Sequence, residues 1–186
     1  MPPARPSVRV LVTGFGRFLD VTDNPSGRIA RALDGRVVGR AVVTGLELPV
    51  SFVDGPALAI RAAVDLDAIA VIGLGVDRRT TTVDVETRAY NRGDGLDVDD
   101  RALPVLEAGG PPLLYSNLDA ATLAAAIGGR VDDDAGRYVC NAWLYTVGRA
   151  LMPARSVIFV HVPAAGLDPE RLLHGIGVLF GEDPTG

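Results

Sequence analysis

Near the start of the chain stands the almost continuously apolar run Val8-Arg9-Val10-Leu11-Val12-Thr13. A strand with this composition is typical of a sheet that is buried on both faces, because neither face then needs polar residues. Similar runs occur at residues 68–74 and 156–162. Helical patterns separate the runs, so that strands and helices alternate along the chain. The pattern predicts a single three-layer α/β/α domain over residues 1–186, with a mostly parallel central sheet.

Four further segments carry specific structural predictions. Residues 41–50 are predicted as a strand, and residues 54–64 as a helix with Leu58, Ala62 and Val64 facing inward. Residues 80–90 alternate strictly, which predicts one strand with Val83 and Val85 on one face and Thr82, Asp84 and Glu86 on the other. Residues 91–112 are rich in Asp, Gly and Pro. They are expected to form a long excursion, either a hairpin or a lid. The remaining helices are predicted at 25–34, 119–127, 137–150 and 168–180.

Composition excludes several functional classes. The chain has 186 residues, of which 48% are hydrophobic and 22% charged, as in a globular protein. No apolar run reaches the ~20 residues that a membrane span requires, and a net charge of −5 argues against a nucleic-acid surface. A single cysteine excludes an internal disulfide and favours a reducing compartment. With no apolar leader in the printed sequence, a cytoplasmic location is expected, and residues 1–7 are expected to be flexible.

The chemically interesting residues gather at one predicted edge of the sheet. In an open α/β sheet, ligands bind beyond the carboxyl ends of the strands. His161 ends one such strand, and Cys140 stands at the start of a predicted helix whose partial positive charge and free amides favour a thiolate and can bind an oxyanion. With Glu86, these residues could form a nucleophile, a base and an orienting acid.

Simpler interpretations stay open for each of these residues. A lone cysteine is usually a small buried hydrophobe, a histidine at a strand end is often structural, and Glu86 could lie on a solvated strand face. His174 is the other imidazole, and its position in the last helix favours a surface role. A dinucleotide fingerprint would need a glycine where Leu19 stands, and the His and Cys residues are too scattered for zinc. Neither a cofactor nor a metal is therefore expected.

Short motifs spread along the chain resemble those of the pyrrolidone-carboxylate (pyroglutamyl) peptidases, a family of cysteine peptidases. They are Val12-Thr13-Gly14-Phe15 with Asn24-Pro25, Glu86-Thr87-Arg88-Ala89-Tyr90-Asn91, Arg137-Tyr138-Val139-Cys140-Asn141 and His161-Val162-Pro163. The resemblance implies that Cys140 is the nucleophile, His161 the general base and then acid, and Glu86 the orienting carboxylate. It also implies a small peptide substrate with an N-terminal pyroglutamyl residue, no cofactor or metal, and assembly as a homodimer or homotetramer.

The chain departs from the family pattern around the substrate pocket. Arg17 and Leu19 replace an expected proline and glycine, and Val76-Asp77-Arg78-Arg79 replaces a Gly-rich segment that carries a glutamine. The segment Gly93-Asp94-Gly95-Leu96 stands where an arginine is expected. Asp84 replaces a small hydroxyl residue, and its charge is expected to raise the pKa of Glu86. The proposed substrate-binding residues are Phe15, Phe18, Tyr138 and Val139. The alternative is a catalytically silent or re-specialised protein that binds or cleaves another small amide.

Overall fold

A computed structural model describes residues 7–18 and 22–181. The strands are β1 (Val8–Phe15), β2 (Val37–Val38), β3 (Ala41–Leu48), β4 (Ala70–Val76), β5 (Asp84–Glu86), β6 (Arg88–Tyr90), β7 (Leu113–Tyr115), β8 (Arg130–Asp132) and β9 (Ser156–Val162). The helices are α1 (Pro25–Leu33), α2 (Asp54–Asp65), α3 (Ala120–Ile127), α4 (Val139–Leu151) and α5 (Pro169–Ile176), the last continuing as a π-helical turn over Gly177–Gly181.

Seven strands form one sheet in the order β2-β3-β1-β4-β9-β5-β8. The neighbours β3-β1, β1-β4, β4-β9 and β5-β8 run parallel, whereas β2 and β5 run antiparallel to β3 and β9. The two antiparallel contacts make the sheet mixed but mostly parallel. The predicted fold class is therefore confirmed.

Helices cover both faces of the sheet and complete the three layers. One core lies between the sheet and α1, α3 and α5, with Val10 and Val12 of β1 on that side. The other lies between the sheet and α2 and α4, with Leu11 and Phe15 of β1 on that side. Successive residues of β1 therefore enter different cores, which explains why its sequence is apolar without alternation.

The inward face predicted for the helix at residues 54–64 is wrong for Leu58 and Val64, whereas Ala62 is half-buried and packs against the core. Leu58 and Val64 are 43% and 53% exposed. The buried residues of α2 are the small ones, Ala59 and Ala63 among them. The small side chains allow α2 to pack closely against the sheet and α4. The larger apolar residues of the helix lie on its outward face.

The strand predicted over residues 80–90 is also wrong in its extent. It divides at Thr87, whose backbone N–H and hydroxyl both donate to the carbonyl of Asp132. Only β5 joins the large sheet, and β6 pairs with β7 in a separate two-stranded sheet. Asp84 and Glu86 are 5% and 1% exposed, so this face of the strand is buried rather than solvated.

Residues 91–112 form the long loop of the β6–β7 hairpin, as one of the two alternatives predicted. Asp97 anchors the loop, because its carboxylate accepts hydrogen bonds from the backbone amides of Phe52, Asp99 and Arg101. Asn141, in α4, fixes the base of the hairpin by bonding to the backbone of Tyr90 and Arg92.

Over residues 7–18 and 22–181, no helix combines the length and the apolar character that a membrane crossing requires. Flexibility is expected for residues 1–7, of which residues 1–6 lie outside the described residues.

Candidate active site

Cys140 is the second residue of α4, as the sequence predicts. Tyr138 precedes the helix in an extended conformation, and the amide of Ala142 donates to the carbonyl of Tyr138. The amides of Val139, Cys140 and Asn141 therefore stand ahead of the first intrahelical hydrogen bond, where a helix has donors to offer.

Two glycines of β4 let α4 approach the sheet closely at this point. A Cβ added at Gly73 would lie 2.6 Å from a ring carbon of Trp143 in α4. A Cβ added at Gly75 would lie 2.6 Å from Sγ of Cys140 and 2.8 Å from the ring of Phe159. The absence of a side chain at Gly75 thus creates the space that the thiol occupies.

His161 and Glu86 form a buried pair beside this thiol. Nδ1 of His161 lies 2.6 Å from Oε1 of Glu86, and the two residues are 7% and 1% exposed. They come from the neighbouring antiparallel strands β9 and β5. The ring of Phe159 meets the imidazole edge-on, with 5.1 Å between the ring centroids. The imidazole is therefore held by a carboxylate on one side and by aromatic packing on another.

The environment shifts the pKa values of this pair. Burial by itself would lower the pKa of His161. Two partners outweigh this effect and raise the pKa to about 10: first Cys140 and then Glu86, each through its charge and a hydrogen bond. Burial raises the pKa of Glu86, an effect that the hydrogen bond and charge of His161 partly offset. The charges of Asp132 and Asp84 add to the rise. The coupling between Asp84 and Glu86 therefore has the predicted direction, although burial is the larger cause.

Cys140 and His161 open onto a common cavity of about 340 Å³. Its lining residues in the described part of the chain are Val76, Asp77, Arg79, Asp94, Ala135, Gly136, Arg137, Tyr138, Cys140 and His161. Glu86 is not one of the lining residues, but its carboxylate contacts His161, which is. The structure thus brings the three predicted catalytic residues together from β5, α4 and β9.

The predicted substrate-binding residues are placed differently from one another. Tyr138 lines the cavity, and the ring of Phe18 packs on it with 5.8 Å between centroids. Phe15 and Val139 are 4% and 1% exposed, so their side chains belong to the core. The ring of Phe15 packs against Phe159, 6.4 Å between centroids.

The positions that depart from the family pattern also occupy different places. Val76 lines the cavity, whereas Arg17 is exposed. Leu96 is 55% exposed, and its carbonyl accepts a hydrogen bond of 2.7 Å from the hydroxyl of Tyr138. Leu19 lies outside the described residues.

Sequence reasoning missed the charged pair that borders the cavity. Asp77 accepts two hydrogen bonds of 3.0 Å from Nε and Nη2 of Arg79. The side-chain hydrogen bonding of Arg79 lowers the pKa of Asp77 and outweighs the rise that burial would cause. Opposite charges two residues apart at the end of a buried strand were the available signal.

Sequence reasoning also missed Arg130, which binds Asp84. Nε of Arg130 lies 2.7 Å and Nη2 3.3 Å from the two carboxylate oxygens. No sequence signal pairs these residues, because they become neighbours only through the parallel contact of β5 and β8.

Among the described residues, no group of three or more His, Cys, Asp and Glu side chains is arranged to hold a metal ion.

Comparison with known proteins gives one consistent result. The sequence profile of the family described as pyroglutamyl peptidase matches residues 8–173. A pyrrolidone-carboxylate peptidase of Halalkalibacterium halodurans is 32% identical over 84% of this chain and 84% of its own. One from Cupriavidus pinatubonensis is 36% identical over 83% of this chain and 77% of its own.

Solved structures show the same fold. Pyroglutamyl peptidase I of Bacillus amyloliquefaciens superposes with a TM-score of 0.85 at 21% identity, covering 94% of this chain and 96% of that one. The pyrrolidone carboxyl peptidase of Thermococcus litoralis gives 0.81 at 22% identity, covering 92% and 91%. The profile match and the two relatives confirm the resemblance inferred from the motifs. The chain belongs to the pyroglutamyl peptidase family.

Proposed function

We propose that this protein is a cysteine peptidase that removes a pyroglutamyl residue from the amino terminus of peptides. Membership of the family supports the reaction class. The observation that carries the proposal is the buried His161–Glu86 pair, 2.6 Å apart, which opens with Cys140 onto one cavity. In this assignment Cys140 is the nucleophile, His161 the general base and acid, and Glu86 the orienting carboxylate.

The first chemical step is attack on the scissile carbonyl. The raised pKa of His161 favours the imidazolium form, which pairs with a Cys140 thiolate. The sulfur forms a bond to the carbonyl carbon, and the π electrons move to the oxygen. The amides at the start of α4 are donors for that oxyanion, and the helix adds partial positive charge. Val139 contributes to substrate binding through its backbone amide, which can donate a hydrogen bond to the oxyanion.

The second half of the reaction regenerates the thiolate–imidazolium pair. When the tetrahedral intermediate collapses, the C–N bond breaks and the leaving amine takes the proton of His161. His161 then removes a proton from water, and the hydroxide attacks the thioester. The C–S bond breaks, pyroglutamate is released, and the Cys140 thiolate again faces the imidazolium of His161.

Glu86 keeps the imidazole in the required orientation and tautomer. Because Nδ1 of His161 is bound to Glu86, Nε2 is the nitrogen left to serve Cys140 and the substrate. The same carboxylate stabilises the imidazolium charge in both halves of the reaction.

Aromatic side chains next to the thiol suit a small, flat ring. Phe18 and Tyr138 are the proposed walls, and Phe15 lies in the core, where its ring packs against Phe159. A pyroglutamyl residue carries no ammonium group, so it can enter an aromatic site without the cost of desolvating a charge.

The charged pair at the cavity favours one alternative. Asp77 and Arg79 border the cavity in the segment where the family resemblance predicts small residues and a glutamine. A pocket that has lost its lactam partner would serve a different small amide, or only bind one, with the same three residues behind it.

The cellular setting is part of the proposal. A single free cysteine that must stay reduced supports a cytoplasmic location. A homodimer or homotetramer is proposed from the family resemblance. Light scattering on the purified protein tests the assembly.

The test of the reaction is release of a fluorescent amine from its pyroglutamyl amide. The parent protein is expected to cleave this amide and to leave the matching prolyl amide intact, since proline has the ring but not the lactam carbonyl. Cys140→Ser and His161→Ala are expected to lose activity by at least about 10³-fold. The matched control is His174→Ala, because His174 is exposed in α5.

The outcomes separate the candidates. No turnover by the folded parent would contradict the pyroglutamyl assignment, and iodoacetamide labelling of Cys140 below pH 8 would then favour a different amide. Parental turnover in His161→Ala would contradict the role given to that residue.

A further inference from the structure

We propose that Arg130 is a positioning residue of this site: it holds Asp84, so that Glu86 stays the ionised partner of His161. The inference rests on the proposed function, and it concerns the two carboxylates that β5 presents to the same imidazole.

Asp84 and Glu86 compete for His161 by position. In the antiparallel pairing of β5 with β9, Asp84 is directly opposite His161, and Glu86 is opposite Phe159. Alternate residues of a strand share a face, so Asp84, Glu86 and the imidazole lie on the same side of the sheet. Nevertheless Nδ1 of His161 bonds to Glu86, the diagonal neighbour.

The partners of Asp84 explain this choice. In addition to the two hydrogen bonds from Arg130, Oδ1 of Asp84 accepts one of 2.8 Å from the hydroxyl of Thr82. Arg130 stands opposite Asp84 in the parallel pairing of β5 with β8. Burial would raise the pKa of Asp84, but the hydrogen bonds from Arg130 and Thr82 outweigh it and lower the pKa. Asp84 is thus kept charged and occupied, and Glu86 is left for His161.

Glu86 is sensitive to the charges around it. It is 1% exposed, and its Oε2 accepts no hydrogen bond from the described residues. The charged or titratable groups that act on the Glu86–His161 pair come from several elements, and they are Asp84 of β5, Arg130 and Asp132 of β8, Cys140 of α4 and Asp77 after β4.

Loss of Arg130 would act on Glu86 in two ways. The buried charge of Asp84 would no longer be offset, so the pKa of Glu86 would rise further. Asp84 would also be released to approach Nδ1 of His161. Both effects weaken the pairing of ionised Glu86 with His161. The loss should appear on the acid side of the activity profile, where Glu86 takes up a proton.

The experiment compares pH profiles of the parent with Arg130→Met, Arg130→Lys and the double variant Arg130→Met/Asp84→Asn. Two readouts are used, kcat/KM for a pyroglutamyl amide and the rate of Cys140 alkylation by iodoacetamide. The matched control is Arg36→Met, which breaks a surface pair with Glu170 that has hydrogen bonds of 2.6 and 3.1 Å. Because the side chain of Arg130 is 61% exposed, its replacement should not prevent folding.

In Arg130→Met, the acid limb of both profiles is expected to move upward by about 1 pH unit, which is tenfold in rate below the midpoint. Arg130→Lys should recover part of the shift, because it restores the charge but not the two-point contact. The double variant should return to the parental limb, since it removes the uncompensated carboxylate. Added salt should reduce the difference between Arg130→Met and Arg130→Lys.

An unchanged acid limb in Arg130→Met would overturn the proposal, as would a double variant that keeps the full shift. A comparable shift in Arg36→Met would also overturn it, because the effect would then belong to net charge. If the parent cleaves no pyroglutamyl amide but its labelling profile shifts as described, the proposal for Arg130 is supported and the proposed substrate is wrong.

Discussion

Replacing Gly75 by alanine tests the closeness of the thiol to the sheet. The added Cβ would lie 2.6 Å from Sγ of Cys140, and ordinary contacts begin at 3.4 Å, so the sulfur must retreat by about 0.8 Å. The ring of Phe159 blocks the other side, at 2.8 and 3.0 Å from the same Cβ. A displacement of about 1 Å in a reacting group can cost about 10²-fold in rate. Overpacking of this kind also costs about 1–3 kcal/mol of stability.

The assay is kcat/KM for the pyroglutamyl amide, read together with thermal unfolding. The matched control is Gly73→Ala, in which the added Cβ would lie 2.5 and 2.6 Å from Phe159 and Trp143 rather than from the thiol. Both variants should unfold at lower temperature, but Gly75→Ala alone should lose about 10²-fold in kcat/KM. Equal activity losses in the two variants, or parental activity in Gly75→Ala, would refute the reasoning.

Two further predictions concern buried carboxylates. Glu86→Gln should lower kcat by about 10²–10⁴-fold and remove the acid limb that Glu86 contributes to the pH profile, because a neutral amide neither fixes the imidazole tautomer nor stabilises its charge. The measurement is the pH profile of kcat. A variant that keeps the parental acid limb would contradict this prediction. Burial would raise the pKa of Asp97, but the backbone amides that bond to it hold the pKa below its usual range, so its stabilising effect is complete near neutral pH and is lost as the pH falls through the folded value. Asp97→Asn should therefore reduce the free energy of unfolding at pH 7 by about 2 kcal/mol, because the new side-chain amide group faces a backbone donor such as that of Phe52. Urea unfolding should show that the difference between variant and parent shrinks below about pH 4. A difference independent of pH would contradict the role given to the charge of Asp97.

Elements with a strong local signal could be predicted from the sequence. β1 and β9 are almost continuously apolar because both of their faces enter a core. α1 carries a visible start in Asn24-Pro25, where the Asn24 side chain caps the helix. The predicted position of Cys140 at a helix start and His161 at a strand end followed from the same signals.

Features that depend on pairing between distant segments could not be predicted. The alternation of residues 80–90 is compatible with one long strand, and only the bonds from Thr87 to Asp132 divide it. β8 has three residues with little apolar character, so its existence depends on β5 lying beside it. In α2, residue size misled the prediction, because close packing selects Ala59 and Ala63 over larger neighbours.

The position of β9 has a consequence for how the protein is made. β9 is the last strand in the sequence, yet it lies between β4 and β5 in the sheet. Until residues 156–162 leave the ribosome, both flanking strands present unpaired edges, which are the surfaces that aggregate most readily. A chain that stalls after α4 therefore has its cysteine but neither a closed sheet nor the histidine. Residues 156–162 must therefore be made before Cys140 can meet His161, and until then the nascent chain carries exposed strand edges.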